Sequence, residues 1–204
     1  MMITEVRTTK RGRRSIYVDG EYVFALHPDA AAEFGLYSDT EVDEGRLEAA
    51  LARSKEIEAG QKALRLLSSR SYTAKKLREK LSVHGGEAAE VAVERMEELG
   101  LVDDADYARR YAEQLYLNKF YAPRRIRQAL AERGVPADIA REVADGYDPG
   151  DNPGRAADYL ARRYPDLSDE KVKSRAYGAL QRLGYNSGEI IRAFGLSGCR
   201  EEAF

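Results

Sequence analysis

The sequence repeats itself at a fixed interval, and that interval limits the folds open to it. SYTAKKLREKL at 71–81 returns as FYAPRRIRQAL at 120–130. A shift of 49 residues sets Tyr72 on Tyr121, Lys75 on Arg124, Lys76 on Arg125, Leu77 on Ile126, Arg78 on Arg127, Leu81 on Leu130 and Gly85 on Gly134. A third copy follows about 50 residues further on: Arg175 matches Arg125, Leu180 matches Leu130, and LGYNSGEIIRAF at 183–194 parallels RGVPADIAREV at 133–143. Matches in register mean one supersecondary unit used again. A unit of roughly 45 residues with few large apolar groups is marginal alone, so neighbouring copies must complete its burial.

Each copy reads as a helix, a turn, a basic helix closed by glycine, and a third helix. In the middle copy the helices are predicted over 106–117, 123–133 and 137–144. Pro123 suits the first helical position, where its missing N–H is no loss, and Gly134 supplies a left-handed stop. Ala122, Ile126, Ala129 and Leu130 fall on one stripe, which is predicted to face inward. The fold class is therefore mainly α: tandem three-helix, helix-turn-helix-like repeats in an elongated, curved array. The copies are assigned to 62–104, 105–150 and 151–204.

A different pattern precedes them. RSIYVDGEYVFAL at 14–26 alternates β-branched and aromatic residues around Asp19-Gly20, the dipeptide that best supplies the two positive φ angles of a type I′ turn. A β-hairpin follows, with 3–9 as a third strand because a lone hairpin is marginal in water. Pro28 and Asp29 start a short helix that Gly35 ends, which makes 1–40 a β-hairpin extension or small antiparallel sheet. Residues 41–66 place Val42, Leu47, Leu51, Ile57 and Leu64 among Glu, Arg and Lys, a helical pattern. The stretch 41–61 is read as a helical connector into the first copy.

With Ile126 as the inward reference and 100° per residue, Arg124 and Arg127 lie at about 160° and 100° and face water, with Arg125 on the opposite flank. Lys75, Lys76 and Arg78 take the equivalent directions in the first copy. The third copy keeps Arg175, while Ser174 and Tyr177 stand in the other two places. Single exposed helix positions are often basic for solubility alone. The recurrence in register predicts a surface that binds a partner or nucleic acid, formed by Lys75, Lys76, Arg78, Arg124, Arg125, Arg127 and Arg175. The formal net charge of −2 and pI near 5.9 argue against coating nucleic acid by bulk positive charge, so any such contact is local. The basic run Lys10, Arg11, Arg13, Arg14 could touch phosphate, but the simpler reading is a solvated loop.

Catalysis finds little footing. Glu94, Glu97, Glu98, Asp103, Asp104 and Asp106 crowd one joint between copies, and Asp145, Asp148 and Asp151 mark the next. Paired acids can hold a metal or move a proton, yet no cysteine, histidine or phosphate loop accompanies them, and capping of helix N-termini explains them better. Only His27 and His84 could serve as neutral-pH bases, and His84-Gly85-Gly86 suits a helix terminus. Cys199, the one cysteine, is read as an incidental thiol. No enzyme activity, catalytic residue, metal or cofactor is expected. The sequence shows neither an apolar run near the ~18 residues of a membrane span nor a signal peptide, which predicts a cytoplasmic protein without a membrane partner.

The segments RSYTAKKLREKL, EELGLVDDADYARRYAEQL, APRRIRQALAERGV and LQRLGYNSGEII, in this order and spacing, resemble the RecX family of bacterial regulators of the RecA recombinase. The resemblance covers about residues 62–196, and the strand-rich segment at 3–26 is similar to the extension of longer members. It implies a tandem of three-helix repeats that binds the RecA filament along its groove, with single-stranded DNA inside that filament as a further contact. It also implies inhibition of RecA's ATP hydrolysis, filament growth and strand exchange, without chemistry of the regulator's own. A monomer is expected. Two positions depart from the family pattern: Lys76 stands where a capping-box Glu would follow Thr73, and Ala122 stands where Gly usually precedes Pro. The chain is also less basic than the family commonly is. The alternative reading is a helical nucleic-acid-binding protein without a RecA partner, recognisable by a steep salt dependence of DNA binding.

Overall fold

The computed structural model of the chain describes the backbone of residues 1–201 and the side chains of 1–197. It is mainly helical, with a small antiparallel sheet, and divides into two compact units, Met1–Asp103 and Asp104–Phe204.

In the first unit, strands β1 (Met2–Thr8), β2 (Arg14–Val18), β3 (Glu21–Leu26) and β4 (Thr40–Glu41) form one sheet in the order β3-β2-β1-β4. Asp19 at φ 49° and Gly20 at φ 91° make the tight turn that their dipeptide predicts. Ile16 pairs with Phe24 but Tyr17 with Tyr22, so Val23 is the extra residue of a bulge. β1 is the expected third strand. β4 pairs only Met2 with Glu41 and Ile3 with Thr40, too short to leave an alternation in the sequence. Helix α1 (Pro28–Glu33) is capped by His27 and closes at Gly35, φ 57°.

Helix α2 (Glu44–Leu67) starts on Asp43, whose carboxylate accepts from Arg46 N at 2.8 Å. Its first half packs Leu47 and Ala50 on Ile3, Ile16 and Leu26 of the sheet. Its second half packs Ala59 and Ala63 with Leu77, Leu81, Val93 and Met96 of α3 (Ala74–Leu81) and α4 (Gly86–Glu98). The connector predicted at 41–61 and the first helix of the first repeat are thus one continuous helix, with no break at residue 61. Small residues let helices approach closely, so the half of α2 that faces α4 carries alanines, and a search for large apolar residues passes over it.

The second unit holds two repeats: α5 (Asp104–Lys119), α6 (Pro123–Glu132) and α7 (Ala137–Asp145), then α8 (Asn152–Arg163), α9 (Glu170–Arg182) and α10 (Ser187–Glu201). The basic helices α6 and α9 end alike. Gly134 and Gly184 have φ 83° and 97°, while Val135 N donates to Leu130 O and Tyr185 N to Leu180 O, the 6→1 bond of a Schellman cap. In the first unit, α3 stops at Leu81 and a 3₁₀ turn, Ser82–His84, leads to Gly85 instead. Ile126, Ala129 and Leu130 are buried, as their stripe predicts.

The two repeats of this unit are built together. Ala122 packs in the core of the last repeat, and its N–H donates to Leu183 O at 2.9 Å. The Tyr185 hydroxyl donates to Phe120 O at 2.9 Å, and burial pushes its pKa up to about 12 against the pull of the Arg155 guanidinium. Gly184 sits so close to α6 that a Cβ there would lie 2.6 Å from Arg125 Cβ and 3.0 Å from Arg125 N. Arg155 lies over the Tyr116 ring at 3.3 Å, and Tyr116 stacks on Tyr147 with centroids 4.2 Å apart. A buried carboxylate, Glu189, accepts from Asn186 N and from Asn152 Nδ2, both at 2.7 Å, while Glu189 N donates to Asn186 Oδ1. This is a reciprocal capping box at the start of α10, tied to α8 through Asn152.

Candidate binding surface

The seven cations predicted from the repeat divide by what lies within their reach. At the first place of the motif, Lys75 on α3 and Arg124 on α6 are exposed, and neither forms an ion pair among the described residues. At the second place both are tied. Lys76 Nζ meets Glu79 at 2.8 Å, and Arg125 NH1 meets Glu132 at 2.9 Å while its guanidinium lies 5.3 Å from the Tyr121 ring centroid. The Lys76 ammonium holds the Glu79 carboxyl below its usual range, and Glu132 holds the Arg125 guanidinium above its own. The third place breaks the symmetry. Arg78 makes a two-pronged bond to Glu90 on α4, which draws the Glu90 carboxyl down, whereas Arg127 is exposed and makes no ion pair among the described residues. Arg175 on α9 is exposed, with only a 3.4 Å contact from Nε to Lys171 O.

The charge therefore recurs in sequence more faithfully than in space. Lys75, Arg124, Arg127 and Arg175 point to solvent, whereas Lys76, Arg78 and Arg125 are engaged within the fold. The engaged acids explain the difference: Glu90 has no sequence signal linking it to Arg78, because the two meet only when α4 folds back on α3. Sequence reasoning also missed Gly184 and Tyr185, which meet Arg125 of α6 and Phe120 just before it, and Arg155, which bonds Tyr116 O and lies over the Tyr116 ring of α5. Their partners lie 35 or more residues away, and only Gly184 has a sequence signal, its register with Gly134.

Of the acids at the joints, Asp148 caps a turn, while Glu98 pairs with Arg95 at 2.8 Å. Asp43, Asp148 and Asp169 accept backbone N–H groups at helix or turn starts, Asp106 pairs with Arg110 at 2.7 Å, and Asp151 precedes α8 without a side-chain bond to it. Among the described residues no cluster of three or more His, Cys, Asp or Glu is arranged to hold a metal ion. His84 Nδ1 lies 3.8 Å from Glu58, which also binds Arg13, so one base of the run at 10–14 is a structural anchor. The side chain of Cys199 lies outside the described residues. Among them, no helix is long and apolar enough to cross a membrane.

Tandem three-helix units that follow a small sheet in the chain, with exposed cations on the middle helices, define a helical-repeat protein. A family model described as "RecX, second three-helix domain" matches residues 103–143, which contain α5, α6 and most of α7. The protein named regulatory protein RecX of Trichlorobacter lovleyi is 37% identical over 139 residues, 65% of this chain and 90% of that relative. A namesake in Thermus thermophilus is 37% identical over 138 residues, 66% and 89% of the two chains. That of Caldanaerobacter subterraneus is 26% identical over 200 residues, 97% of this chain and all of the relative. A structure described as "Crystal structure of regulatory protein RecX" shares the fold, with a TM-score of 0.65 at 24% identity over 95% of this chain and 98% of that one. The chain belongs to the RecX family of regulatory proteins.

Proposed function

We propose that this chain binds the RecA filament assembled on single-stranded DNA and inhibits RecA's ATP hydrolysis, filament extension and strand exchange, so regulating recombination and repair. The reading extends the regulatory role of the family to a named partner, and one observation about this chain carries it. Arg124 and Arg127 stand outward on a helix whose opposite stripe, Ile126 and Leu130, is wholly buried, and no carboxylate of the described residues neutralises either of them. A cation without an internal counter-ion keeps its field for a partner, here acidic groups of the filament or the phosphates of its DNA. Lys75 repeats the place of Arg124, and Arg175 adds a further exposed base. Inhibition needs only occupancy: a regulator lying on the filament blocks the addition of subunits and the motions that accompany hydrolysis. The protein acts as a monomer in the cytoplasm, with the copies at 62–104, 105–150 and 151–204 as its working modules.

RecA-dependent ATP hydrolysis on single-stranded DNA tests this, with the chain added at ratios well below one per RecA. Hydrolysis should fall and the chain should sediment with the filaments. Unchanged hydrolysis at equimolar ratio, with the chain left in the supernatant, would defeat the proposal. Salt-sensitive binding to bare DNA in that same case would identify a nucleic-acid-binding module without this partner.

A further inference from the structure

Helix α9 departs from the basic pattern at two places, and the departure leaves a cleft. Where α6 carries Arg124 and Arg127, α9 carries Ser174 and Tyr177. Together with Glu170, Lys173 and Phe194 of α10 they line a cleft of about 280 Å³. On α9 the lining positions 170, 173, 174 and 177 follow the i, i+3, i+4, i+7 spacing of one helix face, beside the buried stripe of Ala176, Ala179 and Leu180. Its walls are held. Tyr177 and Phe194 pack against the core that contains Leu180, Ile190 and Ala193, and the Tyr177 hydroxyl donates to Ser187 Oγ at 2.9 Å. The two charged residues of the lining cancel, because Lys173 Nζ meets Glu170 at 2.7 Å. On α10, Ser187, Ile191 and Phe194 share one face at i, i+4 and i+7, and Ile191 is 67% exposed. The core of this repeat closes without Ile191, whose side chain widens the apolar surface beside the cleft.

We infer that this cleft, with Ile191 on its rim, takes one apolar side chain, a leucine or phenylalanine, from the protein surface whose acidic groups meet Arg124 and Arg127. The inference rests on the filament reading above and adds to it a contact that charge does not supply. The volume falls below the ~300–1,000 Å³ of small-molecule sites and suits a single side chain. Charge decides the rest. A carboxylate or an ammonium entering here would lose its hydration and meet no free counter-ion, whereas an apolar group gains by leaving water. A held aromatic wall beside an exposed aliphatic residue is the composition of an anchor pocket, the kind of place where interfaces concentrate their binding energy. The second copy thus meets acids and the third copy meets an apolar anchor, through the same two places of the module.

Co-sedimentation of the full chain with RecA filaments on single-stranded DNA, at low and at raised salt, reads it. Ile191→Ser should weaken binding roughly tenfold, the worth of one buried aliphatic contact, while Ile191→Leu retains it. Ser174→Arg, which restores the base of the second copy, should also weaken binding, because it sets an unpaired cation in the apolar cleft. Both losses should persist at raised salt, whereas the loss in Arg124→Glu with Arg127→Glu should shrink as screening removes what those arginines contribute. Positions 174 and 191 are exposed, so circular dichroism should show every variant folded. Unchanged binding by Ile191→Ser and Ser174→Arg overturns this inference alone and leaves the filament reading standing. Tighter binding by Ser174→Arg also overturns it, by showing the third copy to be one more cationic module. An unaltered chain that stays in the supernatant overturns both readings. Self-association of the chain alone that Ile191→Ser abolishes would assign the cleft to a second copy, and an equal loss by both variants on bare oligothymidylate would assign it to a base; either result overturns the inference.

Discussion

Arg124, Arg125 and Arg127 carry the same charge on one helix, yet only Arg125 has work within the fold. Its Cβ lies against Gly184, and its guanidinium is shared between Glu132 and the Tyr121 ring. Reversing Arg124 and Arg127 together to Glu should therefore change unfolding stability by no more than about 0.5 kcal/mol, as exposed substitutions do. The same variant should need at least about ten times more protein to inhibit RecA-dependent ATP hydrolysis, if each arginine gives the partner one charge-assisted hydrogen bond. Arg125→Ala should show the opposite profile, destabilised by about 1 kcal/mol in a denaturant melt because its stem no longer packs and its guanidinium no longer meets the ring. Tyr185 supplies a pH signature. Its phenol has a pKa of about 12 in the folded chain against an ordinary 10, so the folded state holds the proton more tightly than the unfolded one. The stability this contributes is whole below pH 10 and is lost as pH rises from 10 to 12, by about 2–3 kcal/mol. Tyr185→Phe should cost about 1 kcal/mol at pH 7 through the bond to Phe120 O, and the difference between the two proteins should vanish or reverse above pH 11 in urea melts.

The elements themselves were largely legible in the sequence, and where they were not the reason is local. Asp19-Gly20 names its turn, Pro123 names the start of α6, and Gly134 and Gly184 name the stops of α6 and α9, because each residue answers a backbone requirement set by its immediate neighbours. Asn186 with Glu189 three residues later also has the spacing of a capping box. What no local pattern reveals is that Asn152 completes it from 37 residues away. Gly184 shows both levels at once. As a helix stop at φ 97° it is predictable, but the approach of Arg125, which leaves no room for a Cβ, is tertiary. Gly100 ends α4 at φ 66° with open space where a Cβ would stand. Gly100→Ala should accordingly cost only the left-handed strain, about 1–2 kcal/mol, whereas Gly184→Ala should cost about 2–4 kcal/mol because α6 must also shift. Thermal melts of the two variants separate the contributions, and equal losses would show that the approach of α6 is not tight.

At the scale of the whole molecule, the repeat does not reveal how its copies share their cores. A period in sequence reports what each copy has in common, whereas cooperativity depends on contacts that differ between copies. The first copy borrows its first helix from α2, whose other end serves the sheet, so sheet and first repeat belong to the unit Met1–Asp103. The second and third copies are joined by Ala122, Phe120, Gly184 and Tyr185 within the unit that begins at Asp104. Leu130→Asp tests this division. The side chain is wholly buried beside Ile126, Ala108 and Ala112, and an unpaired carboxylate there costs several kcal/mol, enough to consume the stability of a small unit. If cooperativity follows the two units, amide hydrogen exchange should accelerate in α5 to α9 together, including Leu160 and Leu180, which belong to the core cluster of the last repeat and not to that of residue 130. Amides of Leu77, Leu81 and Val93 should keep their protection, because their core draws on none of the unfolded elements. Loss confined to α5, α6 and α7 would mean that the bonds from Ala122 and Tyr185 do not transmit unfolding, and that each repeat is its own cooperative unit.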